Sequence, residues 1–197
     1  MMGPDKTVMV LFAHPVPESF SGSLNQAVLS SLSKTAWSVD DCDLYAEGFE
    51  PLLSTDERRG YHDLQTNTRP VQRYVDRLRA ASALVFVYPV WNFGYPAILK
   101  GFFDRVFLPG VSFKMVDGKV APNLTHIEKF AVVTTYGGTR VRAFLAGDPP
   151  RKLMTRAVRY ATGGAPMEYF ALYDMNRASH DRRASFLQKI SKEMERF

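Results

Sequence analysis

The 197-residue chain has a single cysteine, Cys42. Neither an intramolecular disulfide framework nor a cysteine-cluster metal site can be built from it, which fits a reducing compartment. Its four histidines, His14, His62, His126 and His180, lie in unrelated segments without metal-ligand spacing, and no metal site is expected. A G-x-S-x-G nucleophile elbow is missing, and with it the usual signature of serine hydrolysis. The chain also lacks G-x-G-x-x-G: no glycine precedes Gly22 in the first strand–helix turn, which excludes a Rossmann dinucleotide fingerprint. An uninterrupted apolar run of membrane-spanning length is wanting as well. The most apolar window, Ala80 to Leu99, is broken by Pro89, Asn92, Gly94 and Pro96, which would strand backbone groups in lipid, so no membrane insertion is expected. The opening "MMGPDKTVMVLFAHP" has no basic n-region leading into a long apolar stretch, and a cytoplasmic location is expected.

What is present is a globular composition, 46% apolar and 23% charged, of a length that buries one core. A single domain over 1–197 is expected. The net charge of +5 suits an anionic partner, but Lys and Arg are interleaved with acidic residues along the chain, and no nucleic-acid partner is expected.

Hydrophobic patterning predicts strands at 7–13, 37–45, 83–88, 129–136 and 167–175, and helices at 21–34, 71–81, 97–108, 150–162 and 179–195. Asp117-Gly118 in "FKMVDGKV" marks a hairpin, and residues 46–70 form a long polar connection of the kind that is usually functional. Five βα repeats predict a doubly wound, five-stranded parallel sheet with helices on both faces.

Ligands of such sheets bind beyond the carboxyl ends of the strands, where the strand order reverses. Three loops of unusual composition should meet there. "HPVPESF" runs into a helix whose first N–H groups, helped by His14, Ser19 and Ser21, can hold a phosphate; taken alone, the same residues can simply cap a strand and a helix. "YPVWNFGYP" sets Trp91 and Phe93 beside backbone shaped by Pro89 and Pro96, an arrangement suited to a flat ring, although core or dimer packing would also explain it. "TTYGGTR" offers Thr134 and Thr135 hydroxyls and a close approach at Gly137 and Gly138.

Together, "HPVPESF", "YPVWNFGYPAILKGFFDRVFLPGVSF" and "TTYGG" resemble the NAD(P)H dehydrogenase (quinone) family of flavodoxin-like flavoproteins, which also includes ancillary subunits of potassium efflux systems. The likeness runs from about Thr7 to Met175. It implies a flavin, FMN or alternatively FAD, held by His14, Ser19, Phe20 and Ser21 at its phosphate, by Pro89, Val90, Trp91, Asn92 and Phe93 along the ring, and by Thr134, Thr135, Gly137 and Gly138 at the pyrimidine side. It also implies a homodimer with two sites at its interface and a small-molecule quinone, nitroaromatic or azo acceptor.

The tyrosine and histidine that mammalian members carry after Gly-Gly have no counterpart in "TRVRAFLAGDPPRK"; Arg140 or Arg142 can supply a cation instead, and Tyr136, inserted ahead of Gly137, a hydroxyl. The expected reaction is ping-pong hydride transfer from NAD(P)H through flavin N5 to the acceptor. A flavodoxin-like electron carrier and a regulatory flavin-binding subunit are the alternatives. Arg140, Arg142, Arg151, Lys152, Arg156 and Arg159 suggest a preference for NADPH, while the last four also fit one solvated helical face. Phe113 and Met115 suggest dimerisation through the 111–120 hairpin.

Overall fold

The structure, a computed structural model, describes residues 6–197. Five parallel strands form its sheet: β1 (Thr7–Phe12), β2 (Ser38–Asp43), β3 (Ala83–Val90), β6 (Lys129–Tyr136) and β7 (Met167–Leu172), in the order β2-β1-β3-β6-β7. The remaining two, β4 (Phe113–Val116) and β5 (Lys119–Pro122), pair as a separate antiparallel hairpin. Asp117 and Gly118 at its tip are both left-handed, with φ of 49° and 73°, as a two-residue turn of the I′ kind requires.

Strand alternation divides the core between the two faces of the sheet. Val8, Val10, Val85, Val87, Ala131 and Val133 pack under α1 (Phe20–Leu32) and α8 (His180–Met194). Met9, Leu11, Leu84, Phe86, Phe130 and Val132 face the other way, toward α3 (Gln72–Ala80) and α4 (Ala97–Val106). Because both faces are covered, β3 is buried at every position, matching its near-continuous apolar sequence.

Several boundaries differ from the sequence expectation for identifiable reasons. β2 stops at Asp43 because the Asp43 carboxylate accepts the N–H groups of Tyr45 and Ala46, both at 3.0 Å, and turns the chain. β7 stops at Leu172, ahead of Asp174, which is left-handed with φ 57°. The expected 150–162 helix comprises α6 (Pro149–Lys152), a π-helical turn over Leu153–Val158 and α7 (Arg159–Ala161). Strand β3 continues two residues further than expected, through Pro89. Proline fits in this central strand because β1 ends opposite Val87: Phe12 is its last paired residue, and Ala13 N–H donates to the Val87 carbonyl at 3.0 Å. Beyond that point the β1-facing edge of β3 has no partner, so the missing Pro89 N–H removes no ladder bond. On the opposite edge Pro89 stays in register with Thr135.

The 46–70 connection is more ordered than its polarity suggests. It contains α2 (Thr55–Arg59), opened by a reciprocal capping box: the Ser54 hydroxyl accepts from Glu57 N–H at 3.2 Å and the Glu57 carboxylate accepts from Ser54 N–H at 2.9 Å. The Arg105 side chain on α4, 9% exposed, anchors this segment by donating to Glu57 Oε1 from Nε at 2.8 Å and from Nη2 at 2.6 Å, and from Nη1 to the Glu50 carbonyl. A further helix that the sequence pattern did not announce, α5 (Arg140–Leu145), follows β6 directly.

Candidate active site

The strand order reverses between β1 and β3, so their carboxyl ends flank a crevice. From β1 the chain enters a tight loop organised by His14. Val16 N–H donates to His14 Nδ1 at 3.0 Å, and Ser19 Oγ lies 3.0 Å from the same nitrogen. Ser19 is the N-cap of α1: its hydroxyl accepts from Gly22 N–H at 3.1 Å. The N–H groups of Phe20 and Ser21 in the first turn have no acceptor among the described residues. Two free donors at the positive end of a 13-residue helix make a ready anion site.

The β3 loop owes its shape to something other than its prolines. Trp91 and Gly94 exchange N–H to carbonyl bonds at 3.1 and 2.8 Å, closing a two-residue turn in which Asn92 and Phe93 are left-handed at φ 49° and 55°. A phenylalanine in that region costs about 1–2 kcal/mol. The turn leaves the N–H groups of Asn92 and Phe93 without acceptors among the described residues. Trp91 is 40% exposed, and its ring meets the edge of His14 at 5.6 Å, joining this turn to the β1 loop.

The β6 loop completes a cleft of about 510 Å³ lined by Pro89, Val90, Trp91, Asn92, Thr135, Gly137, Met175 and Asn176. Two residues expected here lie elsewhere. Thr134 and Tyr136 share the strand parity of Phe130 and Val132 and point into the core between the sheet and its helices. The Thr134 hydroxyl is buried and has no partner among the described residues. Tyr136, 1% exposed, donates from its hydroxyl to Asp148 Oδ1 at 2.7 Å and lies 2.8 Å from the Tyr169 hydroxyl. Burial, reinforced by Tyr169 and Asp148, pushes this phenol far above its usual pKa. The expectation that Tyr136 offers a hydroxyl to the site is corrected accordingly: it braces the backbone behind the Gly137-Gly138 turn.

Arginines distribute unevenly. Gly138 is flanked by Arg142 and Phe93, whose side-chain atoms lie 3.8 and 3.9 Å from where a Cβ would stand. Arg140 is exposed on the first turn of α5 and does not line the cleft. Arg151 stacks on the Tyr169 ring at 4.8 Å. Arg156 and Arg159 belong to a different groove, with Pro122 and Tyr160. Met175 and Asn176, which do line the cleft, were missed: apolar patterning carried β7 on to Met175, and Asn176 fell in the unassigned stretch before the last helix; the Asp-Met-Asn sequence of 174–176 was the signal that a turn begins there.

Doubly wound α/β proteins hold their ligands in such a crevice, and this chain is one of that class. It belongs to the flavodoxin-like fold family, whose profile matches residues 6–196. Over 124 residues it is 31% identical to NAD(P)H dehydrogenase (quinone) 1 of Rattus norvegicus, a match covering 55% of this chain and 45% of the relative. Over 150 residues it is 30% identical to ribosyldihydronicotinamide dehydrogenase (quinone) of Homo sapiens, covering 68% and 64%. The chain therefore spans about half to two thirds of the length of these curated relatives. Among solved structures, Smu.1420 from Streptococcus mutans superposes with a TM-score of 0.85 at 27% identity, covering 97% of this chain and 100% of that one. The NAD(P)H:quinone oxidoreductase from Methanothermobacter marburgensis gives 0.83 at 25% identity, with 98% of each chain covered.

Among the described residues, no helix is long and apolar enough to cross a membrane, and no cluster of His, Cys, Asp and Glu could hold a metal ion.

Proposed function

We propose that the protein is a flavin-dependent NAD(P)H:quinone oxidoreductase, or acts on a related azo or nitroaromatic acceptor. The observation that carries this reading is the left-handed Trp91–Gly94 turn. It presents a half-exposed indole and two unpartnered N–H groups beside the equally unpartnered start of α1. That donor set fits a flavin mononucleotide: Phe20 and Ser21 for the phosphate, Asn92 and Phe93 for the polar ring edge, and Thr135 with Gly137 at the pyrimidine side. FAD shares these groups and is the alternative. The names of the rat, human and Methanothermobacter relatives support the same chemistry.

A bound flavin supplies the two-electron step, in which NAD(P)H and a proton are consumed and the quinone leaves as hydroquinone. The chain's own residues bind, orient and shield. Pro89 and Val90 form the buried floor of the cleft. Arg142, whose side-chain stem packs beside Gly138, is the arginine assigned to offset negative charge on the ring; like Arg140 it is exposed and does not itself line the cleft. No side chain here needs to act as a nucleophile.

Purified protein should be yellow, should release FMN on denaturation, and should oxidise NAD(P)H with a small quinone through parallel-line, ping-pong kinetics. Micromolar FMN or FAD failing to bind would defeat the reading. Flavin binding without nicotinamide oxidation would leave a carrier or a regulatory subunit instead.

We also propose that two copies associate through the β4–β5 hairpin. Met115, 60% exposed, and the exposed Val116 and Val120 form an apolar patch at its tip, while Phe113 is half-buried at its base. Sedimentation should show a dimer at tens of micromolar, and Met115→Glu should shift it toward monomer; a wild-type monomer at that concentration would refute the assignment.

A further inference from the structure

The loop after β7 is pinned from several sides. Asp174 N–H donates to the Gly138 carbonyl at 2.8 Å, lacing this loop to the glycine turn that follows β6. Arg177 Nε donates back to Asp174 Oδ1 at 3.0 Å, and Arg182 Nη2 holds the Tyr173 carbonyl at 2.8 Å. A single 3-10 turn over Met175–Arg177 follows the left-handed Asp174. These bonds set the Asn176 amide directly against Gly137, with Nδ2 only 3.1 Å, and Cγ and Oδ1 3.6 Å, from where a Cβ on Gly137 would stand. The amide makes no hydrogen bond to any described residue, yet Asn176 forms part of the wall of the 510 Å³ cleft. An exposed asparagine whose backbone is this firmly held, and whose amide is left free at a ligand-sized cavity, has both a donor and an acceptor to offer.

We propose that Asn176 is a specificity-determining residue of the cleft, reading the edge of a heteroaromatic ring that carries carbonyl and N–H groups side by side. The inference rests on the flavin reading above, since an imide edge of that kind belongs to the flavin ring. A carboxamide is the natural complement of such an edge because it can return one hydrogen bond of each polarity. The β7 loop thereby acts as a fourth wall, fixed to the third by the Asp174 to Gly138 bond. Gly137 has to be a glycine so that the amide can lie flat over the turn.

The test is a titration of flavin-free protein, read by quenching of flavin fluorescence, with FMN and with lumiflavin, which has the ring and no phosphate. Asn176→Ala should weaken both ligands by a similar factor of about five to ten, the size expected for one or two hydrogen bonds. Asn176→Asp, which keeps the shape and replaces the donor with charge, should weaken them at least as much. Gly137→Ala, whose new methyl group would push the amide aside by several tenths of an ångström, should reproduce the Asn176→Ala loss. Melting of the flavin-free Asn176 variants should match wild type, because the side chain is exposed and unbonded. If the wild-type protein binds FMN and Asn176→Ala binds both ligands within twofold of it, the assignment of Asn176 is overturned while the flavin reading stands. If the wild type binds neither ligand, both fall.

Discussion

Gly22→Ala is expected to weaken FMN binding by about a hundredfold or more while leaving a folded protein. A Cβ at this position would lie 1.9 Å from the Pro17 carbonyl oxygen and 2.8 Å from its carbon. Both atoms are backbone, so no rotamer change relieves the contact; the loop from His14 to Ser19 must move away from the first turn of α1 by more than an ångström. That movement breaks the Ser19 cap and misaims the Phe20 and Ser21 N–H groups. Charge-assisted hydrogen bonds contribute about 1.5–3 kcal/mol each, so the loss of two corresponds to roughly two or more decades in affinity. The cost to folding is smaller, about 1–3 kcal/mol, the usual penalty of overpacking. Riboflavin, which has the ring but no phosphate, should bind wild type and variant with far less difference. Isothermal titration with both ligands checks this, and an unchanged FMN affinity in Gly22→Ala would move the phosphate away from the start of α1.

Arg105→Met should be the most damaging substitution for stability among the charged residues. Its guanidinium is the sole cation on Glu57 among the described residues, and it also ties down the Glu50 carbonyl and stands over the Phe49 ring at 5.5 Å. Removing one partner of a buried pair strands the other charge and costs about 3–5 kcal/mol, which for a chain of this size lowers Tm by about 6–20 °C. Burial by itself would raise the Glu57 pKa, but hydrogen bonds from the Ser54 backbone and hydroxyl and the Arg105 guanidinium outweigh it and hold the carboxyl below its usual value. A group lowered in this way contributes stability above its unfolded pKa of roughly 4.3 and loses it as pH falls through the lower folded value. The gap between Arg105→Met and wild type should therefore be full at neutral pH and narrow in acid, once Glu57 is protonated in both. Thermal melts across that range decide it: a gap that stays constant into acid would mean the pair matters through packing alone.

How far the sequence could be read depended on the range of the forces involved. Strands β1, β3 and β6 were legible because burial on both faces leaves continuous apolar runs, and that alone locates the crevice. The three loops at its edge were legible by composition. What escaped was decided by side-chain parity and by contacts distant in sequence. Two adjacent threonines look alike in a string, yet Thr134 faces the core and Thr135 the cleft, because the register of β6 against β3 assigns them to opposite faces. Tyr136 followed the same parity inward, to meet Asp148 twelve residues later and Tyr169 from the next strand. Asn176 was hidden in the short stretch between the expected end of β7 at Met175 and the last helix, where nothing in the pattern shows that the loop folds back on Gly137. The Trp91–Gly94 turn was located correctly but attributed to prolines, whereas left-handed Asn92 and Phe93 shape it. The capping box at Ser54 and Glu57 also escaped, in a segment taken as a polar connection, although its S-x-x-E spacing stands in the sequence.

The position of Pro89 has a consequence for traffic at the crevice. Sheets grow by hydrogen-bond exchange, and an uncovered stretch of strand edge ordinarily recruits whatever extended chain comes near. Past Val87 the flank of β3 that faces the crevice offers a carbonyl at Pro89 but no matching donor. An incoming segment, whether the protein's own His14 loop or a foreign peptide, would find the donor half of the rung at Pro89 missing. The sheet therefore cannot zip itself shut across its own mouth, and the crevice is kept for molecules that bind by stacking and by meeting loop N–H groups.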